Sequence, residues 1–413
     1  MKRYWSINWA VADQAMISGV NFLTGILLAR YLGVTEFGIF TLAWLIVEFV
    51  QGIQYSLVIM PMMSIGPKQP EHERLDYYGS VMVQQTGFAV LSSVIFLIGI
   101  WAANLLFADW NLGALTWSLT VAVLVSQFQN FVRRFFFAFG RIVLAFFVDF
   151  VRYAGQIGIL FWLLLTVEMD AGRTLWVISG TSLASTLLAA CFFGRVTWNR
   201  DNFRITFFRH WDFSKWLLLS ELMRWATGNF YMFVAGGMIG AAAVGAIRAA
   251  QNLVGLSHIM MLGLENVVPA GAARRLSHGG KPAFLRYLRR VTIFGSCSVG
   301  VIVVAASAAP EFWLEVIYGK DYVGNGHLVL WWSVIYFVAF LALQVSIGLR
   351  TIERTKSVFW AHLATAIISV VSVYPLIAYL DLVGVMIGLL TIVLVRIAFL
   401  AYSFVDQLRK LES

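Results

Sequence analysis

Apolar runs of about 20 residues follow one another from one end of this chain to the other, and a run of that length crosses a hydrocarbon core of about 30 Å. Inside such a core every backbone N–H and C=O must be satisfied within the chain, so consecutive runs of this kind are expected to be helices. Twelve spans are predicted, opening with 6–30 and 37–63 and closing with 357–380 and 383–405. Composition agrees, because 60% of the residues are hydrophobic and only 12% charged, against about a quarter charged in soluble domains. The expected fold class is therefore all-α, a polytopic membrane protein.

The second half of the chain repeats a stretch of the first. Residues 22–43 align with residues 229–250 at an offset of 207, half of the 413 residues. Gly33 then falls on Gly240, Gly38 on Gly245, Ala43 on Ala250, Leu32 on Ile239 and Phe37 on Val244, each pair at a junction between two apolar helices. This predicts duplication of one unit into two six-helix lobes, 1–196 and 214–413, joined by a polar linker at 197–213. An even number of spans per lobe gives both lobes the same orientation, so the expected symmetry axis runs along the membrane normal with the substrate path between the lobes. Pro61 maps next to Pro269, and each is expected to loosen the same end of an equivalent helix, since proline removes a backbone donor.

Most of the 30 Lys and Arg fall on one side of these spans, whereas Arg30, Arg173 and Lys320 fall on the other. The positive-inside rule then places both termini and the linker in the cytoplasm of a cell whose inner membrane holds the protein. The net charge of +9 is accounted for by this asymmetry, which excludes nucleic acid as a partner. Lys2 and Arg3 lead into a stretch carrying Asp13, Gln14 and Asn21, which reads as a retained first helix rather than a cleaved signal. Cys191 and Cys297 each lie inside an apolar run and are expected to be buried thiols acting as small hydrophobes. External loops are short, the longest being 312–326, which argues against a membrane-embedded sugar polymerase. No metal-binding, triad or phosphate-cradling motif occurs, so neither an enzyme nor a cofactor is expected.

Four arginines sit inside the spans: Arg152, Arg224, Arg248 and Arg396. Each costs at least about 2.5 kcal/mol at mid-membrane and so should face protein or a wet cavity. Asp149 and Glu221 precede Arg152 and Arg224 by three residues, the spacing of a same-face ion pair. Arg248 and Arg396 have no acidic residue three or four positions away, which makes them the stronger candidates for a ligand's negative charge. Polar stripes at helical spacing mark the first two helices of each lobe: Gln14, Ser18, Asn21 and Gly25; Thr41, Trp44, Glu48, Gly52 and Tyr55; Ser220, Arg224, Thr227 and Tyr231; Arg248, Gln251, Asn252 and Gly255. Plain helix packing also uses such stripes, but four of them on the first two helices of each lobe are better explained by a shared hydrophilic cavity, with Gln14, Ser18, Asn21, Glu48, Tyr55, Tyr231, Gln251 and Asn252 as its expected lining. Asp13, Glu48 and Glu265, with His258 and His362, are the candidates for binding a coupling proton or sodium ion.

The run Leu28-Ala29-Arg30-Tyr31-Leu32-Gly33, followed by Glu36-Phe37-Gly38, resembles the first-loop signature of the polysaccharide exporters of the MOP superfamily, the Wzx-type flippases. The resemblance implies a MATE-like pair of six-helix lobes that moves a polyprenyl-diphosphate-linked oligosaccharide from the cytoplasmic to the periplasmic leaflet by alternating access. Its setting would be the biosynthesis of a surface polysaccharide (O-antigen, capsule or exopolysaccharide), and polymerase and chain-length proteins would be its partners. In that family cationic cavity residues engage the diphosphate. Arg30 lies in the matching motif, and Arg224, Arg248 and Arg396 are added on charge and depth. An inside-negative potential would assist outward movement by about 2.3 kcal/mol per charge per 100 mV. Twelve spans argue against the fourteen-helix peptidoglycan-precursor flippases. Two alternatives stand: a cation-coupled multidrug exporter of the same superfamily, and a non-transporting membrane subunit of a polysaccharide synthase complex.

Overall fold

The computed structural model describes residues 2–106, 112–193 and 197–410; Arg195 and the side chains of Lys2, Arg3 and Lys410 lie outside what is described. Every long element among the described residues is an α-helix. They are α1 (Lys2–Gln54), α2 (Met60–Ile65), α3 (Glu71–Leu106), α4 (Thr116–Ala138), α5 (Ile142–Thr166), α6 (Ala171–Ala190) and α7 (Arg200–Gly228). The chain continues with α8 (Phe230–Met238), α9 (Ala241–Val254), α10 (Leu256–Ala308), α11 (Pro310–Tyr318), α12 (Gly326–Thr351) and α13 (Thr355–Lys410).

Two apolar runs are too long for one crossing: Ala12–Lys68 has 57 residues and Lys356–Arg409 has 54, against the 20 or so that a bilayer needs. Backbone breaks divide them, at Gly33 and at Asp381, and α10 breaks likewise at Gly280. The repeat glycines take matching conformations, Gly33 at φ 76°, ψ 170° and Gly240 at φ 119°, ψ 168°. Only glycine, which has no Cβ, takes these backbone angles at little cost, so both copies of the repeat turn the chain by the same device. Pro61 is preceded by a π-helical turn, Tyr55–Ile59, the local loosening expected of it, whereas Pro269 stays inside helical α10. Asp170 caps α6 through a 2.7 Å hydrogen bond from the Arg173 amide, satisfying one of the orphan donors of the first turn.

The chain divides into two compact units: residues 1–27 with 40–222, and residues 28–39 with 223–413. The first unit packs α3, α4, α5 and α6 around an aromatic core of Tyr77, Tyr78, Phe131, Phe135 and Phe136. The second packs α10, α12 and α13 on one another and on α8 and α9. The repeat segment 28–39 belongs to this second unit, where Gly38 lies against Ala241 and Gly245.

Two expectations change. The stretch read as a linker, 197–213, is helical from Arg200, and its buried His210 holds Tyr77 of α3 at 2.8 Å. Cys191 and Cys297 are both exposed and free, Cys191 in the turn that ends α6 and Cys297 on α10.

Candidate functional site

In the first unit, Asp13 is completely buried, and Arg133 of α4, 120 residues away, donates to its Oδ2 at 2.7 Å. The same guanidinium places Nε 2.6 Å from Oδ2 of buried Asp149, off the hydrogen-bonding direction. Gln129 then donates to Asp149 Oδ1 at 2.7 Å and accepts from Arg152 at 2.5 Å. The expected local pair of Asp149 with Arg152 is thus replaced by a relay through Gln129, since Arg133 has already taken the carboxylate. Arg133 falls inside the expected span 113–137 and counts there only among the cytoplasmic-side charges. α4 runs to Ala138, so Arg133 lies more than a turn from its end, and its side chain is 11% exposed. Two carboxylates offset Arg133 and Arg152 here, and the network ties α1, α4 and α5 together. Arg134 lies beside it, over the ring of Tyr55 at 5.6 Å.

The polar stripe of the first helix lies on another face. Gln14 and Asn21 are exposed and Ser18 is half-buried, accepting from Gln14 at 3.3 Å, while Asp13, Ile17 and Thr24 point into the core. Glu48 is half-buried and, among the described residues, makes no hydrogen bond or ion pair.

The second unit arranges its charges differently. Arg248 donates to Gln251 at 3.0 Å, Gln251 is hydrogen-bonded to Tyr336, and the Tyr336 ring lies 6.3 Å from that of His258. His258 stands in the field of both Arg248 and Glu265, and Glu265 accepts from Arg350 at 2.9 Å. His362 in turn feels Arg350 and Arg396. Arg396 has a buried Nε without an acceptor and no acidic partner among the described residues. At 1.5 Å per residue, Arg248 lies about 12 Å along its helix from the break at Gly240 and Arg396 about 22 Å from the break at Asp381. These groups form a seam that carries three arginines against one glutamate.

The remaining candidates have other placements. Arg30 donates to the carbonyls of Val316 at 2.6 Å and Ile317 at 3.3 Å, where its charge complements the C-terminal end of α11. Tyr231, expected in a cavity wall, is buried against Gly388 and hydrogen-bonded to Ser372 at 2.7 Å, which makes it a packing residue. Arg224 is exposed and Asn252 half-buried. Sequence reasoning missed Arg133, Gln129, Tyr336 and Arg350 as site components. Their partners lie 16 to 120 residues away, beyond the reach of helical spacing.

No protein-family model matches the chain, and no curated protein matches its sequence. Solved structures do match along nearly the whole length. An inward-facing multidrug resistance MATE transporter of the MOP superfamily superposes with a TM-score of 0.68 at 14% identity, covering 95% of this chain and 96% of that one. The lipid II flippase MurJ in an inward closed conformation matches with a TM-score of 0.61 at 12% identity, covering 96% and 87%. A MOP-superfamily transporter from Pyrococcus furiosus, whose binding pocket is described as of reverse polarity, matches with a TM-score of 0.54 at 14% identity, covering 98% and 93%. Further MATE transporters match in the same range. The chain is an all-α, polytopic membrane protein with the MATE-like fold.

Proposed function

We propose that the protein is a membrane transporter that exports an anionic amphiphile by alternating access, and that its cargo is a polyprenyl-diphosphate-linked oligosaccharide for a surface polysaccharide. The observation that carries this reading is Arg396, a guanidinium at membrane depth with no carboxylate beside it among the described residues, in a seam it shares with Arg248 and Arg350. A buried cation of this kind is costly unless an anion visits it, and guanidinium forks match phosphate oxygens in a low-dielectric site. The lipid II flippase among the fold neighbours supports a lipid-linked cargo. The site would lie in a cytoplasmic membrane, with polymerase and chain-length proteins as partners.

A second reading is favoured by the fold neighbours named as multidrug MATE transporters and by Glu48, a half-buried carboxylate without a partner among the described residues. This is a cation-coupled multidrug exporter, with Glu48 on the ion or the cationic drug. Proteoliposomes separate the two. Potential-dependent movement of a labelled polyprenyl-diphosphate oligosaccharide between leaflets supports the first reading, and ion-driven transport of a cationic dye without lipid movement replaces it with the second.

A further inference from the structure

Between Glu265 and Glu311 the chain has no carboxylate, yet it carries Arg274, Arg275, Lys281, Arg286, Arg289 and Arg290. All six lie on α10, around its break at Gly280. Arg286, Arg289 and Arg290 are exposed and, among the described residues, hold no carboxylate. The two arms are fastened where the Arg275 guanidinium sits 3.9 Å from the centre of the Tyr287 ring and the Tyr287 hydroxyl rests against Gly271. That contact brings cations of one arm to the level of cations of the other and gathers the exposed Arg286, Arg289 and Arg290 at this end of the helix pair.

The helix places the exposed arginines beside an apolar face. Arg290 precedes Phe294 by four residues and Val301 by eleven, which puts all three on one face. Along this face Ile293, Phe294, Val301 and Val304 are 53% to 71% exposed, an apolar stripe suited to hydrocarbon. Arg290 stands one turn, about 6 Å, beyond its end, and Arg286 one turn further. Cations at the edge of a hydrocarbon-facing stripe sit at the depth of lipid phosphates.

We propose that the α10 hairpin binds the headgroups of anionic phospholipids through Arg275, Arg286, Arg289 and Arg290. A phosphate diester with a net negative charge meets the guanidinium forks while its acyl chains lie along the stripe. The shared geometry selects lipid over an acidic protein, whose apolar contacts would not continue down a membrane-facing helix.

The test uses the full chain in phosphatidylcholine bilayers with spin-labelled phosphatidylglycerol or phosphatidylcholine, reading the motionally restricted fraction of each. The expected result is a severalfold preference for phosphatidylglycerol at low salt that shrinks as salt rises. The variant R286Q/R289Q/R290Q, at exposed positions without internal bonds, lowers that preference at least about threefold, and the all-lysine counterpart keeps most of it. The proposal is overturned if the wild-type protein shows no preference or if the glutamine variant retains it. It is overturned equally if only R200Q/R204Q/R209Q on α7 abolishes the preference, or if millimolar inorganic phosphate displaces the lipid.

Discussion

Gly38 and Gly245, the equivalent residues of the two repeats, meet backbone to backbone. A Cβ on Gly38 would stand 3.0 Å from the amide nitrogen of Gly245, and a Cβ on Gly245 would stand 3.1 Å from that of Gly38. Each would also collide with a carbonyl of the facing segment, Ala241 for Gly38 and Val34 for Gly245. Close approach of this kind lets helices associate through dispersion and weak polar contacts where lipid offers no hydrophobic drive.

The first prediction follows from that contact. Gly38→Ala and Gly245→Ala are each expected to cost about 1–3 kcal/mol through overpacking. The double variant should cost less than the sum, because both relieve the same contact. Thermal unfolding in detergent measures this, with Gly87→Ala in α3 as a control that meets no atom within 4 Å and should be neutral or stabilising.

The second concerns the seam. Arg396→Gln and Arg248→Gln should each lower cargo movement in proteoliposomes roughly tenfold, equivalent to about 1.5 kcal/mol for a lost charged hydrogen bond, with membrane insertion unchanged. Normal movement in both would remove the diphosphate role. Arg30→Gln should instead lower thermal stability, because its guanidinium is engaged with the α11 carbonyls.

The third rests on the buried network. Removing one partner leaves an uncompensated charge, so Arg133→Met should cost about 3–5 kcal/mol. Adding Asp13→Asn and Asp149→Asn to the same chain should recover a large part of that loss. A triple variant no more stable than the single one would show that packing around Arg133, rather than its charge, holds α1 to α4 and α5.

The fourth uses His210, which lies in the polar first half of α7. Burial, with Arg209 adding to it, pushes its imidazole down from 6.5 to about 4. The folded protein therefore resists protonation that the unfolded chain accepts. Stability on this account is full above pH 6.5 and falls as pH drops from 6.5 towards 4, by roughly 3 kcal/mol in all. Unfolding midpoints measured across that window should show the loss in the wild-type protein, and His210→Phe should flatten it.

What the sequence by itself determined is what depends on local composition and spacing. Runs of about 20 apolar residues specify membrane-crossing helices because an unsatisfied backbone is not tolerated in lipid. Gly33 and Gly240 were legible as matched junctions because a turn with φ near 100° excludes other residues. That Gln14, Ser18 and Asn21 share one helix face was legible from a 3.6-residue period, but the period does not say what that face meets. Only the tertiary structure decided which charges meet. Arg133 goes to Asp13 and Asp149, leaving Arg152 to Gln129; Arg30 goes to α11; and Arg396 keeps an acceptor-free nitrogen. The exposure of Cys191 and Cys297 and the burial of Tyr231 were settled in the same way. Helical spacing reports neighbours up to four residues away, whereas a guanidinium in a low-dielectric interior takes whichever anion the packing of distant helices brings to it.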